Sequence, residues 1–139
     1  MIVLDGDLQH EPIYIPDLIK EAARGSDLVM GYRRRSREMP WDRKFSNWST
    51  SSLLSIISGK TIRDGQCGYR MLNLELLKKI NLTTIRYDLE TELLLEYISA
   101  GAKLGWVPIS TKYHGESSSI NRLADTARFL EVVVKHLFK

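Results

Sequence analysis

The strongest constraint on this sequence is a short apolar run, 2–4, that ends abruptly in two aspartates, Asp5 and Asp7. Such a run predicts a buried strand that delivers acids to one edge of a sheet. In open α/β sheets, ligands bind at the edge formed by the carboxyl ends of the strands. Two nearby carboxylates, followed by the amide of Gln9, are ligands suited to Mg²⁺ or Mn²⁺. The alternative is a solvated turn, because Asp and Gly are common turn residues.

The remaining sequence alternates between strand and helix patterns, which favours an α/β fold with helices on the faces of a sheet. Further strands are predicted at 27–32 and 103–110. Helices are predicted at about 12–23, 41–58, 74–80, 88–100 and 121–138, and Gly25, Gly59 and Gly101 follow three of them as C-terminal stops. The segment from Asp64 to Arg70 carries two glycines and predicts a tight loop.

Composition and charge exclude several classes of protein. The chain has 43% hydrophobic and 27% charged residues, which is typical of one globular domain or part of one. Seventeen acidic residues are spread along it and no binding motif accompanies them, which argues against a nucleic-acid-binding module. Cys67 is the single cysteine, so no internal disulfide can form and a reducing compartment is expected.

The positive charge is concentrated in one part of the sequence. Net charge is only +3, yet six basic residues fall within a dozen positions: Arg33, Arg34, Arg35, Arg37, Arg43 and Lys44. A cluster of this kind predicts either a solvated loop or an anion-binding site.

Four blocks of the sequence resemble family-two glycosyltransferases of the dolichyl- or polyprenyl-phosphate sugar transferase type, in order and spacing. Asp5-Gly-Asp-Leu-Gln-His resembles the family's DxD segment and Gly31-Tyr-Arg its Gly-x-Arg. Asp64-Gly-Gln-Cys-Gly-Tyr-Arg resembles Asp-x-x-Ser-Gly-Phe-Arg. Trp106-Val-Pro-Ile resembles the Val-Pro-Ile strand, and the loop from His114 to Ser117 resembles Gly-x-Ser.

The resemblance implies a GT-A fold, of which residues 1–139 would be the C-terminal, metal- and acceptor-side half. The nucleotide-binding half would precede residue 1 and is absent from the sequence. The full enzyme is expected to transfer a hexose from a nucleotide sugar to a polyprenyl phosphate at the cytoplasmic face of the membrane. By itself the chain is expected to be inactive and to self-associate through the strand around Val3, whose sheet edge would be bare.

The resemblance also implies roles for particular residues on the donor side. Asp7 and Gln9 would hold Mg²⁺ or Mn²⁺, and Asp5 would lie beside them, closer to the ribose or the donor sugar. His114 and Ser117 would lie on a loop that closes over the donor phosphates, although a lone histidine in such a place is more often an ordinary loop residue.

Arginines are the expected residues of the acceptor side. A phosphate monoester is largely anionic at neutral pH, so it needs positioning and charge compensation more than a general base. Arginine binds phosphate bidentately. Arg33 and Arg43 are the first choices for this role and Arg70 the third, with Asp64 opposite Arg70 in a glycine-rich active-site wall.

Aromatic residues in the helix at 41–58 leave two interpretations open. Trp41, Phe45 and Trp48 beside basic residues are typical of an interfacial membrane helix, and the same stripe would also suit core packing. We expect peripheral membrane contact, because a lipid-linked acceptor must be reached from the bilayer surface.

Two further alternatives come from the same residues. One is a remnant that keeps the fold without activity, since the donor-binding half is absent. The other is a haloacid-dehalogenase-like phosphatase, whose first Asp of an Asp-x-Asp pair is the nucleophile. Leu8-Gln9 stands where such phosphatases usually have Thr, which argues against this alternative.

Overall fold

The structure, a computed structural model, describes residues 1–6, 9–33, 41–84, 88–111 and 122–138, without the side chains of residues 42, 43, 88 and 122–125. Its strands are β1 (Ile2–Val3), β2 (Leu28–Arg33), β3 (Arg70–Leu72) and β4 (Leu104–Ile109). A 3₁₀ turn (Pro12–Tyr14) leads into the first of the helices, which are α1 (Ile15–Ala23), α2 (Trp41–Ser58), α3 (Leu74–Leu77), α4 (Asp88–Ser99) and α5 (Arg122–Leu137).

The strands form one mixed sheet in the order β1-β3-β2-β4. β2 and β4 are parallel, and β3 runs antiparallel to both of its neighbours. The carboxyl ends of β1, β2 and β4 therefore meet the amino end of β3 at one edge of the sheet, which we term the carboxyl edge. This architecture confirms the predicted α/β class and is consistent with part of a GT-A-like fold.

The core lies on both faces of the sheet, so helices cover it from two sides. Along β2, Leu28 and Met30 pack with residues of α2, α4 and α5, whereas Val29 packs with Leu18 of α1. All three strand residues are fully buried. A strand that is covered on both faces is continuously apolar, and this is the pattern that predicted β2 from the sequence.

β3 is the element that the sequence analysis missed. A tight loop was predicted through Arg70, with a helix directly after it, but Arg70 begins a strand that pairs with both β1 and β2. Three residues are too few to show a period of two, and the buried Arg70 does not look like a strand residue. The other predicted elements are present with small shifts in their ends. The largest is at α3, which stops at Leu77 rather than near residue 80.

β1 lies at an edge of the sheet. Among the described residues it pairs only with β3, and Val3 is 42% exposed. Self-association through this edge stays a prediction, which sedimentation at micromolar concentration would test.

A carboxylate in α4 fixes the segment that precedes that helix. Glu92 accepts hydrogen bonds from the backbone N–H and the hydroxyl of both Thr83 and Thr84, at 2.6–3.0 Å. Burial alone would raise the pKa of Glu92, but these hydrogen bonds outweigh it and lower the pKa to about 2. The charged carboxylate therefore stabilises the folded state.

Because the pKa of Glu92 is lower in the folded chain than its ordinary value of 4.5, its contribution is present above that pH and is lost as the pH falls towards about 2. We expect Glu92→Gln to lower the unfolding free energy at pH 7 by about 1–3 kcal/mol. Urea unfolding at several pH values should show that the unfolding free energies of the wild type and of Glu92→Gln become equal in acid. Glu75→Gln, on an exposed pair with Lys78, is the control, and an equal loss in both variants would contradict this account.

Candidate functional site

Three of the residues predicted for the site lie at the carboxyl edge because of the sheet topology. Asp5 follows β1, Arg33 ends β2 and Arg70 begins β3. Val3 is paired with Arg70, and Arg70 with Met30, so the three strands reach this edge in register. The antiparallel direction of β3 brings Arg70, and the loop before it, to the same edge as Asp5.

Arg33 and Asp64 form a buried ion pair. Arg33 Nε donates to Asp64 Oδ2 at 2.7 Å, and Nη2 donates to Oδ1 at 3.0 Å. The backbone N–H of Arg33 also donates to Asp64, whose side chain is fully buried. The bidentate partner of Asp64 is thus Arg33, whereas the sequence analysis placed this carboxylate opposite Arg70. The pair ties the end of β2 to the loop before β3.

Arg70 holds the same loop from the inside. Its guanidinium donates to the backbone carbonyls of Cys67, Gly65 and Glu90 at 2.8, 3.0 and 2.7 Å, and the residue is 3% exposed. Burial lowers the pKa of Arg70, and the neighbouring Glu90 carboxylate acts in the opposite direction. Arg70 therefore joins the loop to the beginning of α4.

The carboxylate of Asp5 rests against the backbone of this loop. A Cβ at Gly68 would lie 2.5 Å from Asp5 Oδ2 and 2.8 Å from Oδ1. Only glycine allows the strand-end carboxylate to approach the loop so closely. Asp5 is exposed, so its oxygens remain accessible from the carboxyl edge.

Glu90 in α4 is a site residue that the sequence analysis missed. Its Oε2 lies 3.8 Å from Arg70 Nη2. Burial raises the pKa of the Glu90 carboxyl, Arg70 lowers it, and the charge of Asp5 raises it further. No motif marks this residue in the sequence, because its place depends on how α4 packs against the loop before β3.

The other predicted site residues are only partly described. Gln9 is half-buried just after the β1 end. Asp7, His114 and Ser117 lie outside the described residues, as does the side chain of Arg43. Within the ranges that the structure describes, no group of three or more His, Cys, Asp or Glu side chains is arranged to hold a metal ion.

A groove of about 620 Å³ lies beside the carboxyl edge, between the end of β2 and α2. Three cationic residues line it, Arg33, Lys44 and Arg63. The amide of Asn47, the hydroxyls of Ser51, Ser52 and Ser55, and apolar side chains are also part of the lining. The groove therefore offers both cationic and apolar contacts to a ligand.

The aromatic residues of α2 are exposed. Trp41, Phe45 and Trp48 are 86%, 68% and 54% exposed, and Ile56 further along the helix is 79% exposed. Core packing, one of the two interpretations left open by the sequence, is therefore wrong for these side chains. Trp48 and Ile56 also line the groove. None of the described helices is long and apolar enough to cross a membrane.

Comparison with known proteins gives partial relatives. No family model matches the chain. An uncharacterised protein of Methanocaldococcus jannaschii is 34% identical over 99% of this chain and 62% of its own length, so the chain spans less than two thirds of that relative. The dodecaprenyl-phosphate galacturonate synthase of Rhizobium johnstonii is 30% identical over 57% of the chain and 24% of the enzyme.

A further relative is also named for polyprenyl-phosphate chemistry. The undecaprenyl-phosphate 4-deoxy-4-formamido-L-arabinose transferase of Proteus mirabilis is 37% identical over 50% of the chain and 21% of the enzyme. Over about half of its length, the chain is thus similar to polyprenyl-phosphate sugar transferases. This similarity supports the family-two glycosyltransferase resemblance at the level of the family.

The Arg33–Asp64 pair predicts a large effect on stability. Asp64→Asn removes the buried carboxylate of this pair and its charge-assisted hydrogen bonds with Arg33, so we expect the unfolding free energy to fall by about 3 kcal/mol. The control is Arg24→Ala, which breaks an exposed pair with Glu21 and should cost less than about 1 kcal/mol. Chemical denaturation measures both values. Similar losses in the two variants would show that the buried pair does not hold the loop.

Proposed function

We propose that this chain is the metal- and acceptor-side half of a glycosyltransferase that transfers a hexose from a nucleotide sugar to a polyprenyl phosphate. The observation that carries the proposal is the groove beside the carboxyl edge, which is lined by Arg33, Lys44 and Arg63 and also by the exposed Trp48 of α2. The names of two partial relatives, which pair a polyprenyl phosphate with a sugar, support it.

On the donor side, Asp5, Asp7 and Gln9 would hold Mg²⁺ or Mn²⁺. The donor set fits such an ion, because carboxylate and amide oxygens are its preferred ligands. Asp5 is also exposed at the carboxyl edge, so its carboxylate oxygens can be reached by an ion. A bound ion would stabilise the negative charge that develops on the leaving diphosphate. The lack of a side chain at Gly68 leaves room for the Asp5 carboxylate beside the loop. His114 and Ser117 would contact the donor phosphates.

On the acceptor side, the groove would receive the phosphate of the polyprenyl phosphate. Arg33 lines the groove, and its bidentate bond to Asp64 fixes the plane of its guanidinium. Arg43 belongs to the first turn of α2, one helical turn before Asn47, which also lines the groove. The anionic acceptor is itself the nucleophile, so the chain has to position it and compensate its charge.

The exposed face of α2 would contact the cytoplasmic surface of the membrane. Trp41, Phe45 and Trp48 are amphipathic or apolar side chains on a helix that also carries Lys44. This combination favours an anionic bilayer surface. The polyprenyl chain would then remain in the bilayer while its phosphate enters the groove.

The metal assignment is tested in a longer protein that includes the donor-binding half. We expect Asp7→Asn to abolish Mn²⁺-dependent transfer of hexose to a short-chain polyprenyl phosphate, with little change in Tm, because a metal-facing carboxylate contributes charge rather than packing. Asp17→Asn, on the exposed side of α1, is the control and should keep full activity. Unchanged metal-dependent turnover in Asp7→Asn would rule out the assignment.

The membrane contact is tested by sedimentation with vesicles of phosphatidylcholine and phosphatidylglycerol. Trp41→Ala combined with Phe45→Ala should reduce the bound fraction several-fold, since both side chains would leave the interface. Ile13→Ala is the matched control, because Ile13 is 72% exposed but lies before α1, away from α2. Equal effects of the two changes would show that α2 is not the membrane-facing surface.

A further inference from the structure

The three cations of the groove are not equivalent. Arg33 gives two of its donors to the buried carboxylate of Asp64, so its charge is compensated within the fold. Lys44 on α2 and Arg63 on the connection between α2 and β3 form no ion pair with any residue that the structure describes. Among the side chains that the structure describes, the groove cations that are not paired with a carboxylate are therefore Lys44 and Arg63.

Arg63 is held in place by an aromatic ring. Its guanidinium carbon lies 5.0 Å from the ring centroid of Tyr32, the residue before Arg33 in β2. A guanidinium over an aromatic face is attracted by the ring without using its N–H donors. None of the Arg63 donors bonds a described residue. Arg63 thus contacts the ring and, with respect to the described residues, keeps its hydrogen-bonding capacity available.

Two serines fix the connection that carries Arg63. Ser51 Oγ accepts from the backbone N–H of Gly65 at 3.1 Å. Ser55 Oγ accepts from the N–H of Ile62 at 2.9 Å and donates to Ser51 O at 2.7 Å. The connection is therefore tied to α2 on both sides of Arg63. The hydroxyl of Ser52, also in the groove, bonds no described residue and remains available to a ligand.

We propose that Arg63 and Lys44 bind the phosphate of an amphiphilic phosphate monoester in this groove, and that Arg63 distinguishes a monoester from a phosphodiester. The inference rests on the proposed function, because it concerns the acceptor side of the same site. A phosphate monoester carries a charge of about −1.5 to −2 at pH 7, whereas a diester carries one negative charge. Two cations that pair with no described carboxylate match the charge of the monoester, and exposed Trp48 and Ile56 offer contact to its apolar chain.

The test uses the 139-residue chain and three ligands with the same apolar part: farnesyl phosphate, its methyl diester and farnesol. Isothermal titration calorimetry should show the tightest binding for the monoester. Arg63→Ala should weaken monoester binding about tenfold or more, as expected for loss of a charge-assisted hydrogen bond. The same change should weaken diester binding much less. The ratio of the Kd of the diester to the Kd of the monoester should therefore fall towards one.

Two further variants sharpen the result. Arg63→Lys restores the charge without the planar fork and should recover only part of the preference. Lys60→Ala removes the same charge from an exposed residue near Arg63 that does not line the groove, and it should leave both affinities unchanged. Because Arg63 is exposed, all variants should retain the wild-type Tm.

Three outcomes would overturn the inference. Arg63→Ala and Lys60→Ala could change the affinity for the monoester equally. Farnesol could bind as tightly as farnesyl phosphate, or neither farnesyl phosphate nor its methyl diester could bind. If the longer protein transfers no hexose while Arg63-dependent monoester binding persists, the proposed function fails and the ligand assignment stands. If transfer occurs but Arg63→Ala leaves the KM for the acceptor unchanged, the assignment of Arg63 fails and the proposed function stands.

Discussion

The buried ion pair between Arg33 and Asp64 is the interaction on which the rest of the site depends. It joins the end of β2 to the loop before β3. Arg70 donates hydrogen bonds to two backbone carbonyls of the same loop and to one of α4. The loop in turn places Gly68 against Asp5. Breaking such a pair is costly because one charge would remain buried without a partner. The loop is thereby held in one position relative to the strand ends.

Much of this arrangement could be predicted from the sequence, because apolar runs and glycine stops mark the long elements. The positions of Asp5 and Arg33 at the ends of apolar strands were also predictable, whereas the place of Arg70 at the beginning of a strand was not. The partner of Asp64 was not, since several arginines were equally available in the sequence. β3 was too short to show a period, and Glu90 and Arg63 carry no motif. Each of these depends on three-dimensional packing rather than on local pattern.

α2 shows how the sequence left a question that only the fold could answer. Its aromatic stripe fits a core and a membrane surface equally well by spacing alone. The structure buries Leu54 and Ser51 of this helix instead and leaves Trp41, Phe45 and Trp48 exposed. The buried face is used to fix the connection to β3 and to pack on α4. The aromatic face is therefore left for an external surface, which the proposed function identifies as the bilayer.

Charged side chains are divided along the carboxyl edge. At one end lie the carboxylates of Asp5 and Glu90, and Arg70 is paired with Glu90. At the other end Lys44 and Arg63 line the groove and form no ion pair with a described residue. The compensated Arg33–Asp64 pair lies between them and contributes little net field. Under the proposed function, a diphosphate would need a metal ion to bind at the acidic end, whereas a phosphate monoester would bind the basic end directly. The charge of each end would therefore determine whether the diphosphate or the phosphate monoester binds there, independently of contacts with the sugar.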